Sequence, residues 1–332
     1  MKAAFIRQTG TPDVIEYGDF PTPEPGPTEV LVKVGAVSVN PIDTYIRGGM
    51  IKIATSFPYI VGCDLAGTVE RVGAQVSRFK ASDRVWGSNQ SLFGRRGSFA
   101  EFAAVDEKWL YPTPAAMTHE QAAAGALTGI TAHLGLFLNA GIKAGEVVFV
   151  NGGAGGVGSA VIQLAKAAGA KVIATVGNGE KKALCESWGA DCVVDYHSAT
   201  MDDEIKAFAA ANGGLQVWFE TLKPTNFDRT IGLMSPRGRI IVMAGRDARP
   251  EFPNGAFYVK DLRLFGFAMF NATPDEQRAC ADAMNSLATS GDWRPLIGRT
   301  FKLSEAAAAH RLQEENTLQK QGTLAGKIVL VP

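Results

Sequence analysis

The chain reads as an α/β protein of two domains, a β-rich partly closed barrel and a doubly wound parallel sheet of six strands. Three observations carry that reading. At 332 residues the chain exceeds one typical domain and suits two. Up to about residue 120, short apolar segments follow one another at close spacing between Pro- and Gly-rich turns, the rhythm of a small barrel. From about Gly125, strands alternate with helical segments, the rhythm of a parallel sheet covered by helices.

The first half gives its elements in order. Ala3–Arg7 and Val14–Tyr17 are short strands. PTPEPGPTE follows and cannot continue a central strand, because proline lacks the ladder donor. Val30–Val39 is β-branched and mostly alternating, a strand, and Pro41 suits the first position of a helical turn. Pro58–Gly62 is expected as a turn, and Leu65–Val72, Arg84–Gly87 and Ser98–Val105 as strands. Gln121–Ile142 is uncharged but holds four glycines with Thr, His and Asn, so it reads as a buried interdomain helix rather than a membrane span.

The second half is organised around Val147–Thr175. The run Val147-Val148-Phe149-Val150 has the length and β-branched composition of a buried parallel strand. Gly152, Gly153, Gly155, Gly156 and Gly158 follow, then Ser159–Ala168 with Val161, Ile162, Leu164 and Ala165 on one helical face. Gly169 stops that helix, and Val172-Ile173-Ala174 opens the next strand. Gly153, Gly155 and Gly158 fit G-x-G-x-x-G, and the strand–turn–helix context gives the pattern its meaning. The first glycine permits a tight turn, the second the approach of a pyrophosphate, the third close packing of helix on strand. Gly155, Gly156 and Val157 then lie where a helix N-terminus offers unpaired N–H groups to phosphates. A purely structural glycine turn is the alternative.

The second strand of this unit ends Thr175-Val176-Gly177-Asn178-Gly179, with no carboxylate for a ribose 2′-hydroxyl until Glu180. Lys181 and Lys182 follow, and lysine suits a 2′-phosphate as a point charge. The expected cofactor is therefore NADPH rather than NADH, with Gly177 and Lys181 at its phosphorylated end. Solvated helix lysines are the alternative, preferred for Lys182. The remaining expected elements are helices at Glu180–Trp188, Met201–Ala211, Phe227–Met234 and Pro274–Thr289, and strands at Cys192–Tyr196, Leu215–Phe219, Arg239–Ala244 and Leu262–Phe267. The tail ends in a helix and the strand Lys327–Val331, which needs partners and is expected to rejoin the first domain. The expected division is 1–124 with 268–332 for the barrel-like domain, and 125–267 for the parallel sheet.

Composition closes off several classes. With 33 basic and 33 acidic residues, bulk charge attracts neither nucleic acid nor an anionic membrane. MKAAFIRQTG has no long apolar run, so no signal peptide is expected. Cys63, Cys185, Cys192 and Cys280 form no C-x-x-C pair and have no neighbours at zinc-ligand spacing, which suits a reducing cytoplasm and no metal.

On these motifs the chain resembles, over essentially its whole length, the medium-chain dehydrogenase/reductase superfamily, and more narrowly its zinc-independent quinone oxidoreductases, the zeta-crystallin-like branch. The residues that carry the resemblance are Ser38–Gly49 (SVNPIDTYIRGG), Val61–Gly67 (VGCDLAG), Ser82–Val85 (SDRV), Asn151–Gly158 and Gln163–Lys166 (QLAK). It implies a GroES-like barrel and a Rossmann sheet. Zinc-dependent relatives carry a cysteine ligand near the Ser38–Asn40 loop and a Gly-His-Glu triplet. Here the loop has no cysteine, the triplet reads Gly62-Cys63-Asp64, and no cysteine-rich lobe lies between Gly87 and Ser98. Cys63 is expected as a buried small hydrophobe.

Without a metal the nicotinamide passes hydride, and the protein supplies orientation and hydrogen bonds. By resemblance Asn40 and Tyr45 line the site, with Asp43 supporting their loop. Asn40 offers a donor or acceptor at the carboxamide or substrate oxygen, and Tyr45 a donor as charge develops on a quinone or enone oxygen. The alternatives are an i,i+4 ion pair of Asp43 with Arg47, and Tyr45 as a packing aromatic. The resemblance adds Tyr196, at a strand's carboxyl end, and Lys327 to the cofactor residues, the latter otherwise a solvated lysine. Thr128, beside the nicotinamide or capping a helix, and Gly245, after the fifth strand, complete the set. Trp218-Phe219-Glu220-Thr221 departs from the branch, whose members usually carry Asp, a small residue, Val and Gly there. In this superfamily the Leu262–Phe267 strand pairs with its twin, and an apolar edge left bare invites aggregation, so a homodimer is expected. Three activities remain open: an NADPH-dependent quinone reductase; reduction of a carbon–carbon double bond in an enone or enoyl thioester; and a non-catalytic, crystallin-like NADPH-binding protein.

Overall fold

Val30, Val32, Val34, Val37 and Val39 recur along Glu29–Val39, the longest strand among the described residues. The computed structural model describes residues 1–52, 56–222 and 225–332. Its elements begin β1 (Lys2–Ile6), β2 (Ile15–Asp19), β3 (Glu29–Val39), α1 (Pro41–Arg47), β4 (Tyr59–Ile60), β5 (Leu65–Val72), β6 (Arg84–Gly87), β7 (Phe102–Asp106), β8 (Leu110–Pro112) and α2 (His119–His133). The alternation continues with β9 (Val147–Asn151), α3 (Gly156–Ala167), β10 (Lys171–Val176), α4 (Gly179–Ser187), β11 (Cys192–Asp195), α5 (Met201–Ala211), β12 (Val217–Glu220), α6 (Phe227–Leu233), β13 (Arg239–Val242), α7 (Asn254–Val259) and β14 (Arg263–Gly266). The chain ends with α8 (Pro274–Ser290), β15 (Ile297–Lys302), α9 (Ala306–Thr317) and β16 (Lys327–Val331). It divides into two compact units, Met1–Leu127 with Thr273–Pro332, and Thr128–Ala272.

In the first unit β1 pairs with β2 and β4, and a second sheet runs β15-β16-β3-β5-β6-β8 with β7 on β3. The C-terminal strand β16 lies antiparallel to β3 and parallel to β15. Val30, Val32, Val37, Leu65, Val85, Phe99 and Ile328 share one core there. Pro58–Gly62, expected as a turn, contains β4 instead, because Tyr59 and Ile60 face Ile6 and Phe5 of β1. The region expected as Ser98–Val105 makes only an isolated bridge at Ala100 before β7 begins.

The second unit is a six-stranded parallel sheet in the order β11-β10-β9-β12-β13-β14. Val147, Phe149, Ile173, Val194, Trp218 and Ile240 fill its core. The apolar stretch expected as a helix is α2 followed by a π-type stretch, Leu134–Asn139. By length and composition His119–Asn139 is apolar enough to cross a membrane, but 78% of its window is buried inside the protein, as a core helix requires.

One buried base sets a pH limit. His310 on α9 is fully buried, edge-on to Phe99 at 5.8 Å, and neither ring nitrogen has a hydrogen-bond partner. Burial, with Arg47 nearby, pushes the ring down to about 3. A base held below its unfolded value contributes stability above pH 6.5 and loses it as pH falls toward 3. Wild type is therefore expected to lose about 2 kcal/mol more than His310→Leu between pH 7 and pH 5, by urea denaturation. Equal losses would remove His310 from the account.

Candidate active site and cofactor turn

Strand β9 delivers Asn151 to the carboxyl edge of the parallel sheet, and the chain leaves through Gly152, whose φ of +83° is a conformation that favours glycine. The expectation gave the tight turn to Gly153. The structure gives it to Gly152, while Gly153 is glycine because a Cβ there would lie 2.8 Å from Ala174 Cβ and 3.0 Å from Cys185 Sγ. Gly158 is closed off differently: its Cβ would come 2.1 Å from the Gly152 carbonyl oxygen. Gly155 is open, since only that oxygen, at 3.4 Å, approaches a Cβ built there. Helix α3 starts at Gly156, three residues before the expected Ser159, so Gly156, Val157 and Gly158 form its first turn, with no acidic residue in it. Glycine's poor helix propensity hid that start. Exposed Gly155, with those N–H groups beside it, is chemically an anion cradle.

Gly177 and Tyr196 come together. Tyr196 follows β11, its N–H donates to Val176 O at 3.0 Å, and its hydroxyl would lie 2.2 Å from a Cβ on Gly177. The ring is 42% exposed and rests on His197 at 4.4 Å. Asn178 caps α4 by accepting from Lys181 N at 2.9 Å. Lys181 is half-buried, and burial lowers its ammonium, whereas Lys182 is exposed. Gly245 has φ +86° in the turn after β13. Thr128 is buried in the middle of α2, so helix capping does not explain it.

In the first unit the end of β3 and the start of α1 place Asn40 and Asp43. Pro41 takes the first helical position, and Asn40 N donates to Asp43 Oδ2 at 2.8 Å. Asp43 is fully buried beside the Cys63 thiol, and burial pushes its carboxyl up to about 7. It does not pair with Arg47, which donates to Gly10 O at 2.6 Å and forms an ion pair with Glu314 on α9. Tyr45 is half-buried on α1.

Asn40 is not presented outward as a substrate donor. It is fully buried, its Nδ2 donates to Asp64 Oδ2 at 2.7 Å, and its Oδ1 accepts from Lys327 Nζ at 2.5 Å. Lys327, expected beside the cofactor or in solvent, lies on β16 in the first unit, 6% exposed, and also donates to Val39 O at 2.6 Å. Burial pulls its amine down, held back by the Asp64 and Asp43 charges. Asp64 accepts as well from Ser38 Oγ at 2.8 Å and Ser88 Oγ at 2.6 Å, and burial raises its carboxyl against those partners. In the sequence Asp64 stood out only within the Val61–Gly67 motif and the Gly62-Cys63-Asp64 triplet, not as a buried charge. The signal that finds it is a charge inside the apolar run Val61–Gly67, matched by Lys327 opening the apolar run Ile328–Val331; buried charges need partners.

Zinc does not fit here. Zinc binds thiolate, imidazole or free carboxylate. Burial and the adjacent Asp43 and Asp64 hold the Cys63 thiol well above its usual value, and Asp64 is spent on three donors. Among the described residues no group of three or more His, Cys, Asp or Glu is arranged to hold a metal ion.

The comparisons with known proteins bear on the fold and the family. Residues 26–115 match the alcohol dehydrogenase GroES-like domain, and residues 156–287 the zinc-binding dehydrogenase model. The chain is 35% identical over 332 residues to the quinone oxidoreductase of Rattus norvegicus, spanning 100% of this chain and 98% of that protein. It is 33% identical over 309 residues to a quinone oxidoreductase of Pseudomonas aeruginosa, spanning 91% of this chain and 92% of that one. The solved structure of Escherichia coli quinone oxidoreductase complexed with NADPH superimposes with a TM-score of 0.86 at 26% identity, over 100% of both chains. With that full-length likeness, the chain belongs to the zinc-independent quinone oxidoreductase family of the medium-chain dehydrogenases/reductases.

Proposed function

We propose that the protein is an NADPH-dependent reductase that transfers hydride to quinones without a metal. The observation that carries this reading is the open face of Gly155 at the N-terminus of α3, with no acid in that helix's first turn. The unit Thr128–Ala272 is the cofactor-binding unit, and its α3 N–H groups take the pyrophosphate. Gly177, Tyr196 and Lys181 receive the 2′-phosphate end, while Thr128 and Gly245 serve the nicotinamide end. NADPH supplies the hydride when bound. Tyr45 donates to the substrate oxygen as charge builds there. Asn40, Asp43 and Lys327 keep the start of α1, and so Tyr45, in place. The support for this reading is the geometry above and the NADPH complex of the Escherichia coli relative.

The test is cofactor oxidation with a small panel of quinones and enones. Quinone turnover with a lower KM for NADPH than for NADH is expected. Turnover of enones alone transfers the assignment to carbon–carbon double-bond reduction. Tight NADPH binding with no turnover makes the protein a non-catalytic binder.

We also propose a homodimer formed through β14, which lies at the end of the parallel sheet with Arg263, Leu264 and Gly266 exposed. Sedimentation at micromolar concentration is expected to give twice the 35.2 kDa chain mass, and a monomer would remove this assembly. A cytoplasmic site agrees with four cysteines that are all free.

A further inference from the structure

We propose that Glu220 is a positioning residue for the cofactor: through Asn151 and Thr175 it fixes the orientation of the glycine turn and thereby the affinity for the dinucleotide pyrophosphate. This rests on the reading of that turn as the phosphate cradle. Glu220 ends β12 directly opposite Asn151 of β9 and is 2% exposed. Its carboxylate accepts from Trp218 Nε1 at 3.1 Å, Leu222 N at 2.9 Å and Asn151 Nδ2 at 2.9 Å.

The polarity of the network follows from that carboxylate. Burial raises this carboxyl, but Leu222 N and Trp218 Nε1, which can only donate, occupy its two oxygens and favour the ionised form. An ionised carboxylate only accepts, so the Asn151 amide turns its NH₂ toward Glu220 and its oxygen away. That oxygen accepts from Thr175 Oγ1 at 2.8 Å. With its proton committed, Thr175 Oγ1 has lone pairs left, and it accepts from Gly152 N at 2.9 Å. Thr175 O accepts from Gly153 N at 2.8 Å, and Thr221 Oγ1 donates to Asn151 O. Three neighbouring strands thus hold the first two N–H groups of the turn. Gly152 in turn presents the carbonyl that Gly155 N meets at 3.2 Å and against which Gly158 packs. A negative charge at this edge of the sheet repels phosphate, so its presence makes sense only if the orientation it imposes is worth more. Glutamine in its place brings a donor to a point where three donors already converge, and it releases the Asn151 amide to flip.

The experiment compares wild type, Glu220→Gln, Thr175→Val and the double variant Asn151→Asp/Glu220→Gln. The double variant moves the carboxylate across to β9, where the introduced aspartate again accepts from Thr175 on one side and from the introduced glutamine of β12 on the other. NADPH dissociation constants are read by fluorescence titration, KM and kcat by steady-state kinetics, and folding by thermal melts. Glu220→Gln is expected to raise Kd and KM for NADPH about tenfold while kcat at saturating NADPH stays within about twofold, the split expected of lost uniform binding. Thr175→Val, which keeps the side-chain shape and all charges, is expected to raise Kd similarly, and it carries the test if Glu220→Gln does not fold. The double variant is expected to recover part of the affinity, since the introduced glutamine can donate to the introduced aspartate only by leaving Leu222 N, which shares Glu220 Oε1 with Asn151, without an acceptor. An unchanged or tighter Kd in the folded single variants, a loss confined to kcat, or a double variant that binds NADPH no better than Glu220→Gln would overturn the proposal. Gly155→Leu is the control for the underlying reading: if it binds NADPH like wild type, the cradle itself is misassigned, whatever Glu220 does.

Discussion

Lys327→Met is expected to destabilise the protein near neutral pH by up to about 3–5 kcal/mol, the range for leaving a buried charge uncompensated, here the Asp64 carboxylate that Lys327 faces across the Asn40 amide rather than in a direct ion pair. Methionine keeps the unbranched stem, so the packing of β16 changes little and the loss is electrostatic. Asp64 keeps its three hydrogen bonds from Ser38, Asn40 and Ser88 but loses its buried counter-charge. Val39 O and Asn40 Oδ1 lose their common donor. The deficit has a signed pH dependence. A carboxyl raised in the fold contributes stability below its unfolded value and loses it as pH rises through the folded one. Asp43, up to about 7, and Asp64, also raised, rise further once the ammonium is gone. The deficit should therefore shrink on acidification toward pH 4.5 and be greatest at pH 7 and above; His310 is common to both proteins and cancels. Lys327→Met/Asp64→Asn should recover part of the loss, with a coupling of about 0.5–3 kcal/mol. A deficit flat across that pH range, or none at all, would show that the ammonium is not the counter-charge. In the same variants KM for the quinone should rise if the Asn40 loop holds Tyr45 in place.

What the sequence revealed, and what it hid, divides along the range of the interactions. The β9–α3–β10 unit was legible because its strand is apolar, its helix has one apolar face and its turn is glycine, all within thirty residues or so. Strand β4 was not, since two residues carry no period and only the distant β1 makes them a strand. The same holds for β15, whose Ile297–Lys302 is exposed along most of its length and is strand because β16 lies beside it. In the candidate site, Asn40, Asp43 and Tyr45 were findable as one local motif. Their partners were not: Lys327 reaches Asn40 across 287 positions. Glu220 drew notice as a departure from the branch, but its meaning lies in three donors that only the folded sheet assembles. Charged residues inside otherwise apolar runs, Asp64 and Lys327 alike, were the usable trace of that assembly.

Gly155 and Gly158 are three positions apart, and their substitutions should fail in different ways. At Gly158 an alanine Cβ would lie 2.1 Å from Gly152 O and 2.9 Å from Gly153 Cα, and neither backbone atom can swing aside. Alanine gains about 1 kcal/mol of helix propensity on α3. Overpacking costs about 1–3 kcal/mol where the surroundings can relax, and these are backbone atoms held by Thr175. Gly158→Ala should therefore lose stability and NADPH binding together. Gly155 has φ −74° and ψ 169°, open to any residue, and its Cβ direction is free apart from one contact at 3.4 Å. Gly155→Leu should melt like wild type, within about 0.5 kcal/mol as at other exposed positions. Its side chain nonetheless covers the backbone that the proposed reading gives to the pyrophosphate, and on that reading NADPH affinity should fall about 100-fold, or about 2.7 kcal/mol. Fluorescence titration beside a thermal melt separates the two outcomes. A stable Gly155→Leu that binds NADPH like wild type would mean that the phosphates do not lie against this turn, and a Gly158→Ala as stable as wild type would mean that α3 does not pack on Gly152 as described.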